Sequence, residues 1–168
     1  TTNPSLMRKA GAKDYKSYSK KILQVCKNKP ISFEVFADDE ENMIKQANIL
    51  KSLGENIYIK VPITFTNGDY TTKVLHKLVN TNTKLNVTAI FTKEQVQKII
   101  PILKDTNSIL SVFAGRIFDC GLDAFKIMKE ISLDVKKNSG CETLWASPRM
   151  PYDYIAAINS GTDIITMQ

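Results

Sequence analysis

The sequence predicts an α/β protein built on a parallel sheet, and three observations lead to that prediction. Six short apolar segments alternate with amphipathic helical segments along the chain. Successive apolar segments begin roughly 21–33 residues apart, which is the size of one βα unit. Most of them carry Val, Ile, Leu or Phe on both faces, as strands of a helix-covered parallel sheet do. A doubly wound open sheet and a (β/α) barrel both fit this pattern.

The predicted strands follow one another with a helical segment between each pair. They cover residues 31–36, 57–63, 85–91, 109–115, 142–148 and 163–167. Ahead of them, residues 1–5 (TTNPS) have the composition of a strand end followed by a turn. No GxGxxG or GxxxxGK[ST] turn follows any strand, which excludes the commonest nucleotide-binding versions of the open sheet.

The predicted helices carry recognisable end signals. They cover residues 13–27, 39–53, 70–80, 122–137 and 151–160, and a further helix opens at Thr92. Thr92 and Gln95 have the spacing of a capping box. We expect Pro101 to kink or end the helix that they open, because proline lacks the backbone N–H and clashes with the preceding turn.

Length and composition indicate one globular domain over residues 1–168. The chain is 43% hydrophobic and 24% charged, as ordinary globular proteins are. It contains no run of eighteen apolar residues and no signal-peptide pattern, so we expect no membrane span. The net charge of +6 weakly favours anionic partners. Its lysines are spread over predicted helix surfaces without a Lys/Arg tract, so we do not expect nucleic acid as a partner.

The residues that usually bind metals form no recognisable site in the sequence. Cys26, Cys120 and Cys141 have no metal-ligand spacing and do not suggest a disulfide framework. Free thiols favour a reducing cytoplasm as the location. His76 is the only histidine and falls on a predicted helix, so no histidine-based triad or zinc site is available. The cysteines and the histidine therefore predict no metal site.

Lys60 stands in the middle of the apolar strand 57–63. Alternation places Ile59 and Val61 on one face of that strand and Lys60 on the other. A lysine is rarely buried without a partner or a function, because desolvating its ammonium group is costly. A lysine made partly neutral by burial is a nucleophile toward carbonyls. The structural alternative is a lysine on an edge strand or one that simply pairs with Glu34.

Polar residues of the other strands fall together on one face. Alternate residues of a strand share a face, a relation we call parity. It places together Glu34 with Ser32 and Phe36, Asn86 with Thr88, Ser111 with Phe113, and Trp145 with Ser147 and Arg149. If Lys60 faces inward, these groups share its side, and a barrel with its chemistry at the carboxyl ends of the strands accounts for them. The alternatives are that Asn86 and Thr88 satisfy loop backbone groups, that Arg116 and Arg149 are solvated, and that Trp145 fills the core.

Six segments, in order and spacing, resemble one known family. They are TTNPS at 1–5, SFEVFAD at 32–38, IYIKVPIT at 57–64, KLNVTAIFT at 84–92, SVFAGRI at 111–117 and LWASPR at 144–149. The chain resembles the transaldolases, in the small transaldolase and fructose-6-phosphate aldolase-like branch. This resemblance implies a (β/α)8 TIM barrel and class I aldol chemistry without a metal or cofactor.

The resemblance also implies roles for individual residues. Lys60 matches the Schiff-base lysine, Glu34 the acidic residue that moves protons with a water, and Thr88 the residue that holds that water. Positions matching the substrate contacts are Thr1, Asn3, Asn86, Ser111, Phe113, Arg116, Ser147 and Arg149. Among these, the asparagines match binders of the dihydroxyacetone part, and the arginines and serines match the sugar and phosphate contacts.

The sequence departs from the family pattern at both ends. Family members begin with a strand that carries Leu-Asp-Thr or a similar triplet, and the aspartate of that strand helps proton transfer. This sequence starts after that strand and stops within the eighth. We therefore expect a barrel without its first strand and last helix, open and unstable unless other residues complete it.

Two positions favour one reaction within the family. Aldolase-like members tend to have Gln and Tyr where this chain has Glu34 and Phe113. Glu34 and Phe113 therefore favour transfer of a dihydroxyacetone unit between sugar phosphates. The resemblance implies that this reaction belongs to the pentose phosphate pathway and that the protein is a homo-oligomer. The alternatives are an aldolase that uses free dihydroxyacetone and a non-catalytic sugar-phosphate-binding protein.

Overall fold

Six strands form one parallel sheet in the structure, a computed structural model that describes residues 1–167. They are β1 (Ile31–Glu34), β2 (Ile57–Pro62), β3 (Leu85–Ile90), β4 (Ile109–Val112), β5 (Glu142–Trp145) and β6 (Ile164–Ile165). All six predicted strands are confirmed, although each is shorter than its apolar segment. The loops that follow them take up the remaining residues.

The order of the strands separates the two architectures left open by the sequence. Neighbours in the sheet are also neighbours in the chain, in the order β1-β2-β3-β4-β5-β6. A doubly wound sheet instead reverses its order at a switch point and carries helices on both faces. Because parallel crossovers are right-handed, an unreversed order places the helices on one face. The α/β class is confirmed, and the described sheet has the winding of a partial barrel.

The helices fill the connections between the strands. Within residues 1–167 they are α1 (Pro4–Lys9), α2 (Tyr15–Cys26), α3 (Glu40–Lys51), α4 (Thr72–Asn80), α5 (Lys93–Leu103), α6 (Ala114–Asp119), α7 (Ala124–Asn138) and α8 (Asp153–Asn159). The predicted capping box is confirmed, since Thr92 and Gln95 each accept from the other's backbone N–H. None of these helices has both the length and the apolar composition needed to cross a bilayer.

Two short helices were not predicted. At α1 the prediction of a turn after Asn3 was wrong, because the Asn3 side chain accepts the Leu6 N–H at 2.8 Å and Pro4 occupies the first helical position. At α6 the strand predicted to reach residue 115 ends at Val112, and the chain turns into a helix at Ala114.

Pro101 does not end the helix that contains it. Helix α5 continues through Pro101 to Leu103. The side chains of Ile99 and Leu103 are fully buried in the core on either side of the proline. Packing of this apolar face therefore outweighs the missing backbone hydrogen bond.

The core lies between the sheet and the helices. The outward side chains of the strands, such as Phe33, Ile59, Val87 and Leu110, are completely buried there. The opposite face carries a separate small apolar cluster, which includes Ile109, Leu144 and Ala146, and otherwise mostly polar residues. The fold thus presents one apolar face to its helices and one mixed face to a cavity.

Trp145 lies on the outward face of β5, so its predicted place on the inward face was wrong. The register pairs Ser111 with Leu144 and Val112 with Trp145, which gives Trp145 the same side as the buried Val112. Its ring is fully buried, with its centroid 6.0 Å from that of Phe118 in α6. Trp145 therefore fills the core.

Candidate active site

The inward face of the sheet lines a cavity of about 580 Å³. This volume lies within the usual range for small-molecule sites. Of the residues singled out from the sequence, the cavity is lined by Thr1, Asn3, Lys60, Ser111, Phe113, Arg116 and Ser147. Glu34, Asn86, Thr88 and Arg149 are not among the lining residues, which instead include apolar side chains such as Ile109, Leu144 and Ala146.

Lys60 and Glu34 meet beside this cavity. They are direct partners in the β1–β2 register, so both side chains leave the sheet on the same face. Lys60 Nζ is 3.4 Å from Glu34 Oε2, and the lysine is only 7% exposed. Burial raises the pKa of the Glu34 carboxyl, and the nearby Lys60 and Arg116 only partly offset that rise. A buried amine beside a carboxyl whose pKa is raised is an arrangement suited to proton transfer between the two groups.

Asn86 joins two other strands beneath the lysine. Its amide nitrogen donates to Ser32 Oγ at 2.9 Å, and its carbonyl oxygen accepts from Ser111 Oγ at 2.7 Å. All three residues are buried, so a polar chain runs from β1 through β3 to β4, with Ser32 and Ser111 lining the cavity and Asn86 behind them. Buried hydrogen-bonded networks of this kind hold their members in one arrangement.

Thr88 follows Asn86 on the same face of β3. Its side chain is fully buried, and its hydroxyl oxygen has no hydrogen-bond partner within residues 1–167. Immediately after it, Ala89 adopts a positive φ of 59° where the β3–β4 register shifts. This irregularity returns Ile90 to the apolar core, so the inward polar face of β3 ends at Thr88.

Arg116 and Phe113 line the cavity together. The Arg116 guanidinium lies 4.7 Å from the centre of the Phe113 ring, which in turn packs edge-on against Phe91 at 5.6 Å. A cation over an aromatic face is held in place without using its N–H donors. Arg116 therefore keeps those donors for an anionic ligand.

Gly115 lies in α6 and allows the loop after β5 to pack closely against that helix. A Cβ atom at Gly115 would lie 1.6 Å from the Ser147 carbonyl oxygen, so only glycine fits. Ser147 has a positive φ of 58°, which breaks the alternation of β5 and lets Ala146 and Ser147 both line the cavity. The contact brings Ser147 to the same side as Arg116.

Arg149 and Asn3 are placed differently from the other predicted residues. Arg149 is bound to Asp119 by two hydrogen bonds at the surface, one of them 3.0 Å from Nε to Oδ1, and it does not line the cavity. Asp119 raises the pKa of this guanidinium. Asn3 lines the cavity, but its side-chain oxygen is occupied in capping α1.

Three residues of the site were not singled out as site residues. Ser32 and Tyr58 line the cavity, and parity with Glu34 and Lys60 was the sequence signal for both. Tyr15 of α2 bonds to the backbone of Glu34, and nothing in the sequence pattern indicates that contact. Within residues 1–167 no cluster of three His, Cys, Asp or Glu side chains is placed to hold a metal ion.

Comparisons with known sequences point to one family. The profile of the family described as Transaldolase/Fructose-6-phosphate aldolase matches residues 1–168. A probable transaldolase of Sphingopyxis alaskensis is 35% identical over 167 residues, covering 99% of this chain and 73% of that protein. A probable transaldolase of Methanococcus maripaludis strain C5 is also 35% identical, covering 99% of this chain and 74% of that protein.

Comparison with solved structures bears on the fold. A crystal structure of mandelate oxidase with benzoyl-formic acid superposes with a TM-score of 0.66 at 15% identity, covering 89% of this chain. Another, with (S)-2-phenylpropionate, gives a TM-score of 0.65 at 14% identity, also over 89% of this chain. The chain spans about half of those proteins, 51% in each case. At this identity the likeness concerns the fold alone.

Proposed function

The chain belongs to the transaldolase/fructose-6-phosphate aldolase family, and from that premise we propose that it is a class I transaldolase. It transfers a dihydroxyacetone unit from fructose 6-phosphate or sedoheptulose 7-phosphate to an aldose phosphate in the pentose phosphate pathway. The described sheet is, in this proposal, part of a (β/α)8 barrel. Residues 1–168 belong to one domain that works in the cytoplasm as a homo-oligomer.

One observation carries the proposal. A buried lysine amine stands at a cavity wall with a carboxylate 3.4 Å away, on the inward face of a parallel sheet. A lysine in this setting has a proton acceptor beside it, and the raised pKa of Glu34 makes that carboxyl a better acceptor. The amine that results is a nucleophile for a ketose carbonyl.

The first half of the reaction attaches the substrate to Lys60. The neutral amine adds to the C2 carbonyl of the ketose, and the carbinolamine loses water to give a cationic imine. Glu34 supplies and removes the protons of these steps. The Thr88 hydroxyl, which is buried and free of other partners within residues 1–167, supports a role in holding the water that relays them.

The second half breaks and remakes a carbon–carbon bond. The imine cation accepts the electrons of the C3–C4 bond while the C4 hydroxyl gives its proton to a base, and the aldose phosphate departs. The dihydroxyacetone unit remains on Lys60 as an enamine. It attacks the aldehyde of an acceptor sugar phosphate, and hydrolysis of the new imine releases the ketose product and the amine.

Other residues in and behind the cavity wall suit substrate binding. Asn86 is fully buried and does not itself line the cavity. One of its amide N–H groups is left after its bonds to Ser32 and Ser111, and in this proposal that group meets a hydroxyl of the dihydroxyacetone part. Within residues 1–167 the Arg116 guanidinium donates to no protein group, so its N–H donors are available to a phosphate dianion, with Ser147 on the same side of the cavity. We propose Arg116 as the principal phosphate contact, since Arg149 would first have to leave Asp119.

A coupled assay tests the reaction type. With fructose 6-phosphate as donor, we expect glyceraldehyde 3-phosphate to form steadily only when erythrose 4-phosphate is present as acceptor. Steady cleavage without an acceptor would mean that the protein is an aldolase that releases dihydroxyacetone. Binding of sugar phosphates without turnover in either arm would favour a non-catalytic binding protein.

A further inference from the structure

The backbone of Glu34 has an unusual partner. Within the β1–β2 pair, the neighbouring Val35 N–H donates to the Lys60 carbonyl at 3.0 Å, and the main-chain groups of Glu34 point to the other edge of β1. There the Tyr15 hydroxyl accepts the Glu34 N–H at 3.0 Å and donates to the Glu34 carbonyl at 3.0 Å. One hydroxyl thus satisfies both main-chain groups of the residue beside Lys60.

Tyr15 is itself well fixed. It is the first residue of α2, and Asp14 caps that helix by accepting the Ser17 N–H at 2.7 Å. Its ring packs edge-on against Phe33 at 6.5 Å and Phe36 at 5.5 Å, the residues on either side of the Glu34–Val35 pair. The hydroxyl therefore reaches the strand from an anchored ring.

The hydroxyl also stays a donor at working pH. Burial raises the pKa of Tyr15 to about 12, so its proton is retained throughout the neutral range. Within the described residues, the charged groups that act on the Glu34 carboxyl are Lys60 from β2 and Arg116 from α6, while the uncharged Tyr15 hydroxyl from α2 bonds to the Glu34 backbone.

Placement of Glu34 matters because β1 ends at that residue. Beyond this point one sheet bond, from the Val35 N–H to the Lys60 carbonyl, still ties the main chain to β2, and a carboxyl displaced by about 1 Å can lose on the order of 100-fold in rate. We propose that Tyr15 is a positioning residue, whose hydroxyl fixes the main chain of Glu34 and so holds the carboxyl beside Lys60. This inference rests on the proposed proton-transfer role of Glu34.

The test compares Tyr15→Phe with Tyr18→Phe. Each variant keeps its aromatic ring and loses one hydroxyl of the same helix, and the Tyr18 hydroxyl donates to the Ala10 carbonyl at 3.3 Å, away from the cavity. Phenylalanine retains every ring contact of Tyr15, so the fold is preserved, and thermal melting of both variants checks this.

The first measurement is amide hydrogen exchange by NMR. In Tyr15→Phe we expect the Glu34 amide to exchange at least about tenfold faster, because its acceptor is gone. The Val35 amide, which bonds to Lys60 within the sheet, should exchange at the wild-type rate. Tyr18→Phe should leave both amides unchanged. An unchanged Glu34 amide in Tyr15→Phe would overturn the inference.

The second measurement is the pH dependence of kcat. In Tyr15→Phe we expect kcat to fall about tenfold with KM changed less than about twofold, because proton transfer and not binding is impaired. A Glu34 carboxyl released from its buried position regains water, so the acid limb of the profile should move to lower pH. A purely structural role for Tyr15 would not move that limb.

The outcomes separate the two proposals. A wild-type protein that forms no borohydride-trapped adduct with fructose 6-phosphate would overturn the proposed function. An active wild-type protein whose Tyr15→Phe variant keeps both its kcat and its acid limb would overturn the positioning role alone.

Discussion

Glu34 lies directly beside Lys60 on the neighbouring parallel strand, with its Oε2 3.4 Å from the lysine Nζ. Strand register alone produces this contact, because partners in a parallel ladder project from the same face. The two side chains are also among the few charged groups on the inward face. Their proximity is the basis of the predictions on proton transfer and pH.

The pH dependence of stability should reveal the burial of Glu34. Its pKa is raised above the ordinary value of 4.5, so the folded chain binds that proton more tightly than the unfolded chain. The contribution of this group to stability is therefore full at acid pH and is lost as the pH rises through the raised pKa. Glu34→Gln removes this dependence.

Urea unfolding of both proteins across that pH window measures the effect. The free energy of unfolding of Glu34→Gln, relative to wild type, should increase as the pH rises. Glu41→Gln, at an exposed surface pair with Lys45, is the matched control and should show no such trend. A difference that stays constant with pH for Glu34→Gln would contradict the raised pKa.

Asn86 should matter for stability as well as for binding. Asn86→Ala leaves the buried Ser32 and Ser111 hydroxyls without this partner, and we expect a loss of roughly 2–3 kcal/mol in the free energy of unfolding. Ser111→Ala removes only one of these two hydrogen bonds, and we expect it to lower the free energy of unfolding by about 1 kcal/mol. Equal losses in the two variants would mean that the Ser32 bond contributes nothing.

Arg116 and Arg149 should differ in their effect on sugar-phosphate binding. Arg116→Ala removes free guanidinium donors at the cavity, and we expect KM for fructose 6-phosphate to rise about tenfold or more. Arg149→Ala removes a guanidinium already paired with Asp119 and should change KM less than about threefold. Steady-state kinetics measure both. Equal increases would show that Arg149 leaves Asp119 to bind the phosphate.

Gly115 should tolerate no side chain. Gly115→Ala would drive its Cβ into the Ser147 carbonyl, so we expect roughly 2–3 kcal/mol of destabilisation, with weaker binding because Arg116 and Ser147 move apart. Gly54→Ala is the control, since its Cβ would meet side chains and no backbone, the nearest atom being the side-chain oxygen of Asn56 at 3.1 Å, and should cost less than about 1 kcal/mol. Denaturant unfolding compares the two, and similar losses would contradict the close approach.

Much of the sheet could be predicted from alternation. Parity placed Lys60, Asn86, Thr88 and Ser111 on one face, and the register of the structure agrees. Where the backbone leaves the regular strand conformation, parity fails. The positive φ of Ser147 is such a point: it brings Ser147 to the cavity side beside Ala146, so alternation counted back from Ser147 placed Trp145 on the wrong face of β5.

Contacts between distant segments could not be predicted in this way. Tyr15 and Arg149 show the limit: the first bonds to a backbone 19 residues away, and the second pairs with an aspartate 30 residues away. Neither contact follows from the periodicity of a strand or helix or from the spacing of a motif. Such contacts depend on how helices dock on the sheet.

Borohydride trapping tests the central claim most directly. The protein is incubated with fructose 6-phosphate, reduced, and analysed by intact mass and peptide mapping. We predict one reduced dihydroxyacetone adduct per chain, on the peptide that contains Lys60, lost in Lys60→Met and retained in Lys84→Met, whose amine instead donates to the Glu55 carbonyl at the surface. No adduct on the wild-type protein, or an adduct that persists in Lys60→Met, would contradict the assignment of Lys60 as the nucleophile.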